Sequence, residues 1–186
     1  WRVPAGDGGG YMLRNEHLDV RTVTLGVSLF DCVSHDLDLF TANVRAKLRR
    51  YASQLVVVCD EVGDKYGIPV VNKRISVSPI AVVGAPFGPD GMLRICRALD
   101  EAAKEAGVDF LGGFSALVEK GFARGDRALI EALPDALAQT DRICSSINVA
   151  SSRSGINMDA VALMGEQILR TAGATAERGG IGCAKL

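Results

Sequence analysis

The sequence predicts an α/β protein whose strands form one parallel sheet, built from repeated strand–helix units. Short segments in which apolar residues alternate are followed by longer segments in which they recur every three or four positions. Glycine or proline closes most of these segments. Strands joined by helical crossovers pair in parallel with right-handed connections. The order β-α-β-α-β-α-β-α-(β) therefore defines the fold class.

Composition favours a single globular domain in the cytoplasm. The 186 residues are 48% hydrophobic and 23% charged, and a net charge of -1 argues against a nucleic-acid surface. Five cysteines without a CxxC pair, together with only two histidines, predict neither a metal site nor a disulfide framework. No apolar run reaches the roughly 18–20 residues that span a bilayer, and the N-terminus lacks signal-peptide order. We expect residues 1–11 to be a flexible tail or a vector remnant, and residues 12–186 to form the domain.

The first half of the chain predicts two strands and one long helix. Residues 20–30 alternate and are rich in Val, Thr and Leu, which favours a strand. A long amphipathic helix follows, capped by Asp36 or Asp38 and ended by Gly67. Residues 70–77 form the second strand, and residues 80–83 one helical turn. The helix stripe consists of Phe40, Val44, Leu48, Tyr51, Leu55, Val58 and Val62.

The second half predicts two more complete strand–helix units. A helix from about Met92 to Ala106 leads to a strand over 108–114, and residues 115–120 resemble a short capped turn of helix. Asp126 can cap the next helix, in which Pro134 should introduce a kink or a restart. The fourth strand lies within 141–149 and Asn157 caps the last helix. We expect loop over 173–182 and the opening of a fifth strand over 183–186.

The carboxyl ends of the strands are where ligands bind in parallel sheets of this kind. This rule brings together four segments in our prediction. They are Asp31 with Cys32, the residues after Arg74, Gly113 with Ser115, and the stretch from Ala150 to Asn157. The sequence therefore predicts a site at this edge of the sheet.

Two cysteines are candidate reactive groups. Cys144 opens the fourth strand, and Cys32 follows the first strand beside Asp31. A nucleophilic thiolate needs a nearby base or cation, whereas a buried cysteine often serves as a small apolar filler. Both interpretations remain open for each residue. Cys59 and Cys96 lie in helical segments and are predicted to be core.

The loop before the last helix has the parts of an anion-binding site. Ser151, Ser152, Arg153, Ser154 and Gly155 precede the helix that Asn157 caps. Free N–H groups at a helix start, hydroxyl groups and a guanidinium all suit a phosphate or a carboxylate. An ordinary strand-to-helix turn explains the same residues.

Three polar residues inside the second strand require partners. Arg74 shares a face with Asn72, while Lys73 shares the opposite face with Ile75, because side chains alternate along a strand. At least one of the two cations should reach a pocket or a rim. A salt bridge to Asp31 or Asp109 is the structural alternative.

Five segments resemble a known protein family. DVRTVTLGVSLFDC, GIPVVNKRISVSPI, GVDFLGGFSALVEKG, ALAQTDRICSSINVASSRSGINM and GIGCAKL are similar to those of the PFL family proteins, an uncharacterised bacterial and archaeal group. The resemblance implies a barrel like that of pyruvate formate-lyase, in which ten strands come from two five-stranded halves. It implies that this chain is about the first half and that the family continues beyond Leu186. It identifies no radical-bearing glycine loop here.

The functional expectation is an enzyme acting on a small anionic metabolite, with a non-catalytic metabolite-binding or regulatory protein as the alternative. Arg153 with Lys73 or Arg74 would bind the anion, and Cys32 or Cys144 would react. Asp31 and Ser151 line the same rim, and Ser115, Asn148 and Asn157 would orient the ligand. The sequence does not identify a cofactor, and it predicts neither a nucleic-acid partner nor a membrane partner. We expect a homo-oligomer, or pairing with the remainder of the family's barrel.

Overall fold

A computed structural model describes residues 19–186, and the predicted tail at 1–11 lies outside them. The strands are β1 (Val20–Val27), β2 (Val70–Val77), β3 (Phe110–Leu117) and β4 (Ile143–Asn148), with a hairpin of β5 (Ala150–Ser151) and β6 (Gly155–Ile156). The helices are α1 (Leu37–Ala52), α2 (Leu55–Tyr66), α3 (Ile80–Val83), α4 (Pro89–Glu105), α5 (Arg124–Gln139), α6 (Met158–Ala174) and α7 (Ile181–Ala184). Single 3-10 turns occupy Phe30–Cys32 and Ala176–Arg178.

The four main strands form one sheet in the order β1-β2-β3-β4, and every neighbouring pair is parallel. This confirms the predicted α/β class. Right-handed connections between strands that are neighbours in chain order place all crossover helices on the same face. The helices accordingly form one layer in which α1 contacts α4, α4 contacts α5 and α5 contacts α6.

The core lies between this helical layer and one face of the sheet. Leu25, Ile75, Leu111 and Ile143 lie side by side in register across the four strands, and the last three are at most 1% exposed. The amphipathic helices supply the other side of the core. Fully buried helical residues include Phe40, Leu48, Met92, Leu99, Leu129 and Leu133. Burial of these side chains is the main stabilising contribution to the fold.

The predicted long helix is two helices, because the chain breaks at Ser53–Gln54. The expected caps are confirmed at both outer ends. The Asp36 carboxylate accepts hydrogen bonds from two N–H groups at the start of α1, and Gly67 ends α2 with φ +66°. The apolar stripe does not continue across the break. Val58 and Val62 are about half exposed, and Cys59 is the buried residue of α2.

A strand stands where a short helical turn was predicted at residues 115–120, since β3 continues to Leu117. A bulge explains the difference. Gly112 pairs with Cys144 and Phe114 with Ser145, so Gly113 is an extra residue with φ +119°. The extra residue shifts the alternation and returns Phe114 to the core, fully buried. In the sequence alone, the alternation of core and outward-facing residues can be followed only as far as Gly112 and Gly113, so the predicted strand ended too early.

Helix α5 differs from its prediction in the position of Asp126 and in having no restart at Pro134. It begins at Arg124, and the Asp126 carboxylate in its first turn accepts a hydrogen bond from the Ala123 N–H at 2.7 Å. Asp126 therefore stabilises the helix start from inside the helix. The helix passes through Pro134 and ends at Gln139 without a restart. Proline removes one N–H donor here, and Pro134 is buried within the helix.

The predicted fifth strand is instead the short helix α7 followed by a turn. One strand-like contact remains, because the Lys185 carbonyl accepts a hydrogen bond from the Ser145 N–H at 2.7 Å. The Lys185 side chain is buried, and its ammonium donates to the carbonyls of Leu137 (2.8 Å) and Thr140. Burial lowers the pKa of Lys185. These contacts fix the last residues against β4 and the end of α5.

Gly113→Ala should lower the free energy of unfolding by about 2–4 kcal/mol, measured by urea denaturation. A Cβ there would lie 2.5 Å from Val77 Cγ2 and 2.6 Å from the Val77 carbonyl oxygen, at a positive φ. Gly112→Ala is the matched control, because a Cβ there meets nothing within 4 Å. Its effect should stay within about 1 kcal/mol. Equal losses for the two variants would contradict the role assigned to the bulge.

Candidate functional site

The face of the sheet that the helices do not cover carries small and polar side chains. We call it the open face. Side chains alternate along each strand, so these residues are the neighbours of those that enter the core. The open face consists of Val20, Thr22, Thr24 and Gly26 of β1; Val70, Asn72, Arg74 and Ser76 of β2; Phe110, Gly112, Ser115 and Leu117 of β3; and Cys144, Ser146 and Asn148 of β4.

A shallow depression crosses the middle of the open face. Gly26, Ser76, Gly112 and Cys144 lie in one row across the four strands. A Cβ built on Gly26 or Gly112 meets no atom within 4 Å, so the space above both glycines is open. With neighbouring strands about 4.8 Å apart, Ser76 and Cys144 stand roughly 10 Å apart on either side of Gly112. That width suits a small organic anion.

Arg74 lies beside this depression. Its guanidinium stacks over the Phe110 ring, 5.2 Å from the ring centroid, and Phe110 is its register partner on β3. Among residues 19–186 it forms no salt bridge with a carboxylate. Stacking on an aromatic ring leaves the edge of a guanidinium, with its N–H donors, free for a ligand. Arg74 is thus a positioned cation without a protein counter-ion in the described part of the chain.

Cys144 is half-buried on the opposite side of Gly112. Burial raises the pKa of its thiol, while the positive charges of Arg74 and Lys185 act in the opposite direction. Burial is the larger effect. The thiol is therefore protonated at neutral pH, although the charges of Arg74 and Lys185 lower its pKa in part.

Asp31 and Cys32 lie in the turn after β1, away from Cys144. Asp31 forms an ion pair with Lys47 of α1, and this bond lowers the pKa of the carboxyl. Cys32 is 3% exposed and belongs to the hydrophobic core. Burial raises the pKa of its thiol, and the neighbouring Asp31 charge raises it further. The surroundings of Cys32 are those of a core residue.

Lys73 lies on the helix-covered face, as the alternation predicts. Its ammonium pairs with Asp60 of α2 at 2.7 Å, and this hydrogen bond raises its pKa. The expected partners were Asp31 or Asp109. Asp109 instead accepts a hydrogen bond from the Lys73 backbone N–H at 2.7 Å. Asn72, on the open face, donates to the Arg21 carbonyl at 3.3 Å.

The loop predicted to cradle an anion is a self-contained hairpin. Strands β5 and β6 pair in antiparallel fashion, and Ser151 Oγ accepts a hydrogen bond from the Ser154 N–H at 3.0 Å. Arg153 is exposed at its turn. Asn157 caps α6 by accepting from the Ala160 N–H at 3.2 Å. The Ser151 hydroxyl and the Asn157 amide therefore already have protein partners.

Some of the predicted site residues meet at the carboxyl ends of β3 and β4. Asn157 donates to the Val118 carbonyl at 2.7 Å, and Asn148 donates to Glu119 at 3.3 Å. Ser115 lies on the open face two residues before Leu117, the end of β3. The structure thus groups Ser115, Asn148 and Asn157 near β4. Asp31 and Lys73 contact helices on the other face of the sheet.

Phe110, Ser76 and Ser146 of the open face were absent from the predicted site. A signal for them existed in the sequence, since each stands an even number of positions from Arg74, Gly112 or Cys144 within the same strand. The sequence did not show the register between strands, which is needed to see that these residues are neighbours of Arg74 and Cys144. Within residues 19–186, no cluster of three or more His, Cys, Asp or Glu side chains has the geometry to hold a metal ion. No helix in this range is long and apolar enough to cross a membrane.

The fold and this face define an α/β protein with a four-stranded parallel sheet, covered by helices on one side. The chain belongs to the family described as Uncharacterised ACR (DUF711), whose model matches residues 11–186. Over 175 residues it is 92% identical to a UPF0210 protein of Desulfovibrio desulfuricans and 73% identical to one of Oleidesulfovibrio alaskensis. It is 53% identical to one of Methanosarcina acetivorans. Each match covers 94% of this chain and 38% of the relative, so the chain spans well under half the length of these relatives.

Alkylation of Cys144 by iodoacetamide should be slow at pH 7 and should accelerate beyond pH 9, followed peptide by peptide with mass spectrometry. A raised pKa leaves little thiolate at neutral pH, and the thiolate is the reacting species. Arg74→Gln removes a charge that lowers this pKa, so the variant should react more slowly at every pH below the plateau. The same peptide in urea-unfolded protein is the reference. Faster reaction of Cys144 in the folded protein than in the unfolded protein at pH 7 would contradict the assignment.

Proposed function

We propose that this protein is a cytoplasmic enzyme that binds a small anionic metabolite, a carboxylate or a phosphate, on the open face of its sheet. The observation that carries the proposal is the position of Arg74. This cation stands beside the Gly112 depression, stacked on Phe110 and without a carboxylate partner within residues 19–186. Family membership indicates no activity, so the proposal rests on this geometry.

The chemistry around Arg74 suits an anion that also carries hydroxyl or carbonyl groups. A guanidinium recognises carboxylate and phosphate through paired N–H donors. Ser76 shares the glycine row, and Ser115 pairs in register with Ser146 in a neighbouring row. The Ser76 and Ser146 hydroxyl groups can donate to or accept from the remaining polar atoms of a ligand, whereas the buried Ser115 hydroxyl donates to the Gly113 carbonyl at 3.3 Å. Asn148 stands at the carboxyl end of the same face and would orient the ligand. The Asn157 amide contacts the Val118 carbonyl and the Ala160 N–H, so it would support the site by fixing the start of α6. Arg153, exposed in the hairpin, would add a second cation.

Cys144 is the reactive group in this proposal. It faces Arg74 across the depression and is half-buried, while Cys32 is enclosed in the core. A non-catalytic metabolite-binding or regulatory protein is the second candidate. The raised pKa of both thiols favours it, because neither residue is a thiolate at neutral pH. The two functions share the same binding residues and differ in the role of Cys144.

The barrel like that of pyruvate formate-lyase belongs to this proposal as well. Four parallel strands in chain order, with all crossover helices on one face, support the idea of a curved sheet that closes with further strands. In such an assembly the open face lines the interior, where Arg74 and Cys144 would meet the ligand. The closing strands come from the remainder of the longer polypeptide seen in the relatives, or from another copy in a homo-oligomer.

Arg74→Gln should weaken the binding of inorganic phosphate or malonate at least about tenfold, because it removes a charge-assisted hydrogen-bond pair. Isothermal titration calorimetry measures the change. Lys73→Gln is the matched control, since the neighbouring residue points to the opposite face and pairs with Asp60. It should leave the affinity unchanged. Binding that is unaffected by Arg74→Gln, or equally weakened by both changes, would overturn the proposed site.

A further inference from the structure

Helix α6 carries a row of exposed apolar residues that no other residue within 19–186 covers. Met158, Val161, Ile168 and Leu169 are 65%, 39%, 45% and 74% exposed, respectively. With 3.6 residues per turn, these positions fall on one side of the helix. We call this row, together with the small residues between its members, the α6 outer stripe. It consists of Met158, Val161, Ala162, Gly165, Ile168 and Leu169.

This stripe is distinct from the face by which α6 joins the core. The buried residues of α6 are Ala160, Met164, Gln167 and Thr171. At 3.6 residues per turn, the centre of the outer stripe lies about 140° around the helix from these residues. The charged residues Asp159, Glu166 and Arg170 occupy a third sector. The helix therefore has a core face, a charged solvent face and a separate apolar face.

The outer stripe of α6 is more apolar than a helix surface that faces water requires. The inner face of the helix includes the buried Gln167 and Thr171, and the Thr171 hydroxyl is satisfied by the Gln167 carbonyl at 2.7 Å. Leu169 is its most exposed large apolar residue. A helix at the boundary of a domain normally places its apolar stripe inward and its polar residues outward. The outer stripe thus has the composition of a packing surface.

The position of α6 in the helical layer indicates what packs against its outer stripe. Helix α4 lies between α1 and α5, and α5 lies between α4 and α6. Helix α6 contacts α5 and the four-residue α7, and it stands at the end of the layer. It also follows β4, whose outer edge makes one backbone hydrogen bond within the described residues, donated by the Ser145 N–H to the Lys185 carbonyl. The layer and the sheet therefore stop at the same side of the molecule.

We propose that the α6 outer stripe is the docking surface for an amphipathic helix from the part of the longer polypeptide that lies outside the matched region. The relatives support this occupant, because the matched region is only 38% of their length and the larger remainder can supply such a helix. The docking helix extends the layer in the same way that α5 follows α4. This surface is independent of the anion site on the open face.

Cysteine labelling tests the proposal. A chimera replaces the 175-residue segment of the Desulfovibrio desulfuricans relative with the matching residues of this chain, and it is compared with this chain alone. Leu169→Cys should react with a maleimide at least about tenfold more slowly in the chimera, because packing blocks access to the thiol. Glu166→Cys, on the charged face of the same helix, is the control and should react equally in both proteins. Mass spectrometry of the labelled peptide gives each rate.

Two results would overturn the proposal. One is an equal rate for Leu169→Cys in the chimera and in the chain alone. The other is slow labelling in the chain alone that slows further as its concentration rises, since this would identify a second copy as the occupant. Ile168→Cys repeats the measurement on the same stripe. It provides the answer if Leu169→Cys lowers the yield of folded chimera.

Discussion

The order of the strands constrains this structure more than any other feature. Because β1 to β4 are neighbours in chain order and all parallel, right-handed crossovers place α1, α4 and α5 on one face, and α6 packs beside α5 in the same layer. The hydrophobic core therefore forms on one face of the sheet. Ile75, Leu111 and Ile143 enter the core in one row across the sheet. Their neighbours along each strand point to the other face.

The two cations of β2 lie on opposite faces of the sheet and have different partners as a result of this constraint. Lys73 and Arg74 are adjacent in sequence, yet the period of two directs them to opposite faces. Lys73 meets the helical layer and is neutralised by Asp60. Arg74 meets a face that no crossover helix covers, where Phe110 supports its guanidinium but does not neutralise it. The same alternation places Cys144 on the open face and Ser145 against the core side.

Local patterns predicted the class, the four strands and several caps, because each depends on residues close together in sequence. Asp36, Gly67 and Asn157 act at helix ends as expected. The wrong predictions concern features that depend on contacts between residues far apart in the sequence. The bulge at Gly113 requires the register with β4, and the exposure of Val58 requires knowing where α2 lies. Asp31, predicted to share a rim with Ser115 and Arg153, instead pairs with Lys47 of α1, because chain order alone does not show which face a side chain occupies.

The two uncovered surfaces of the molecule differ in what they can accept. The open face is rich in hydroxyl and amide groups, and burying these against an apolar partner would leave them without hydrogen bonds, at a cost of about 1–3 kcal/mol each. It therefore suits water or a polar ligand. The α6 outer stripe has no polar group to satisfy, and covering Leu169 and Ile168 would release apolar surface from water. The proposed binding surface and the proposed docking surface are thus separate, so a change in one can be measured without disturbing the other.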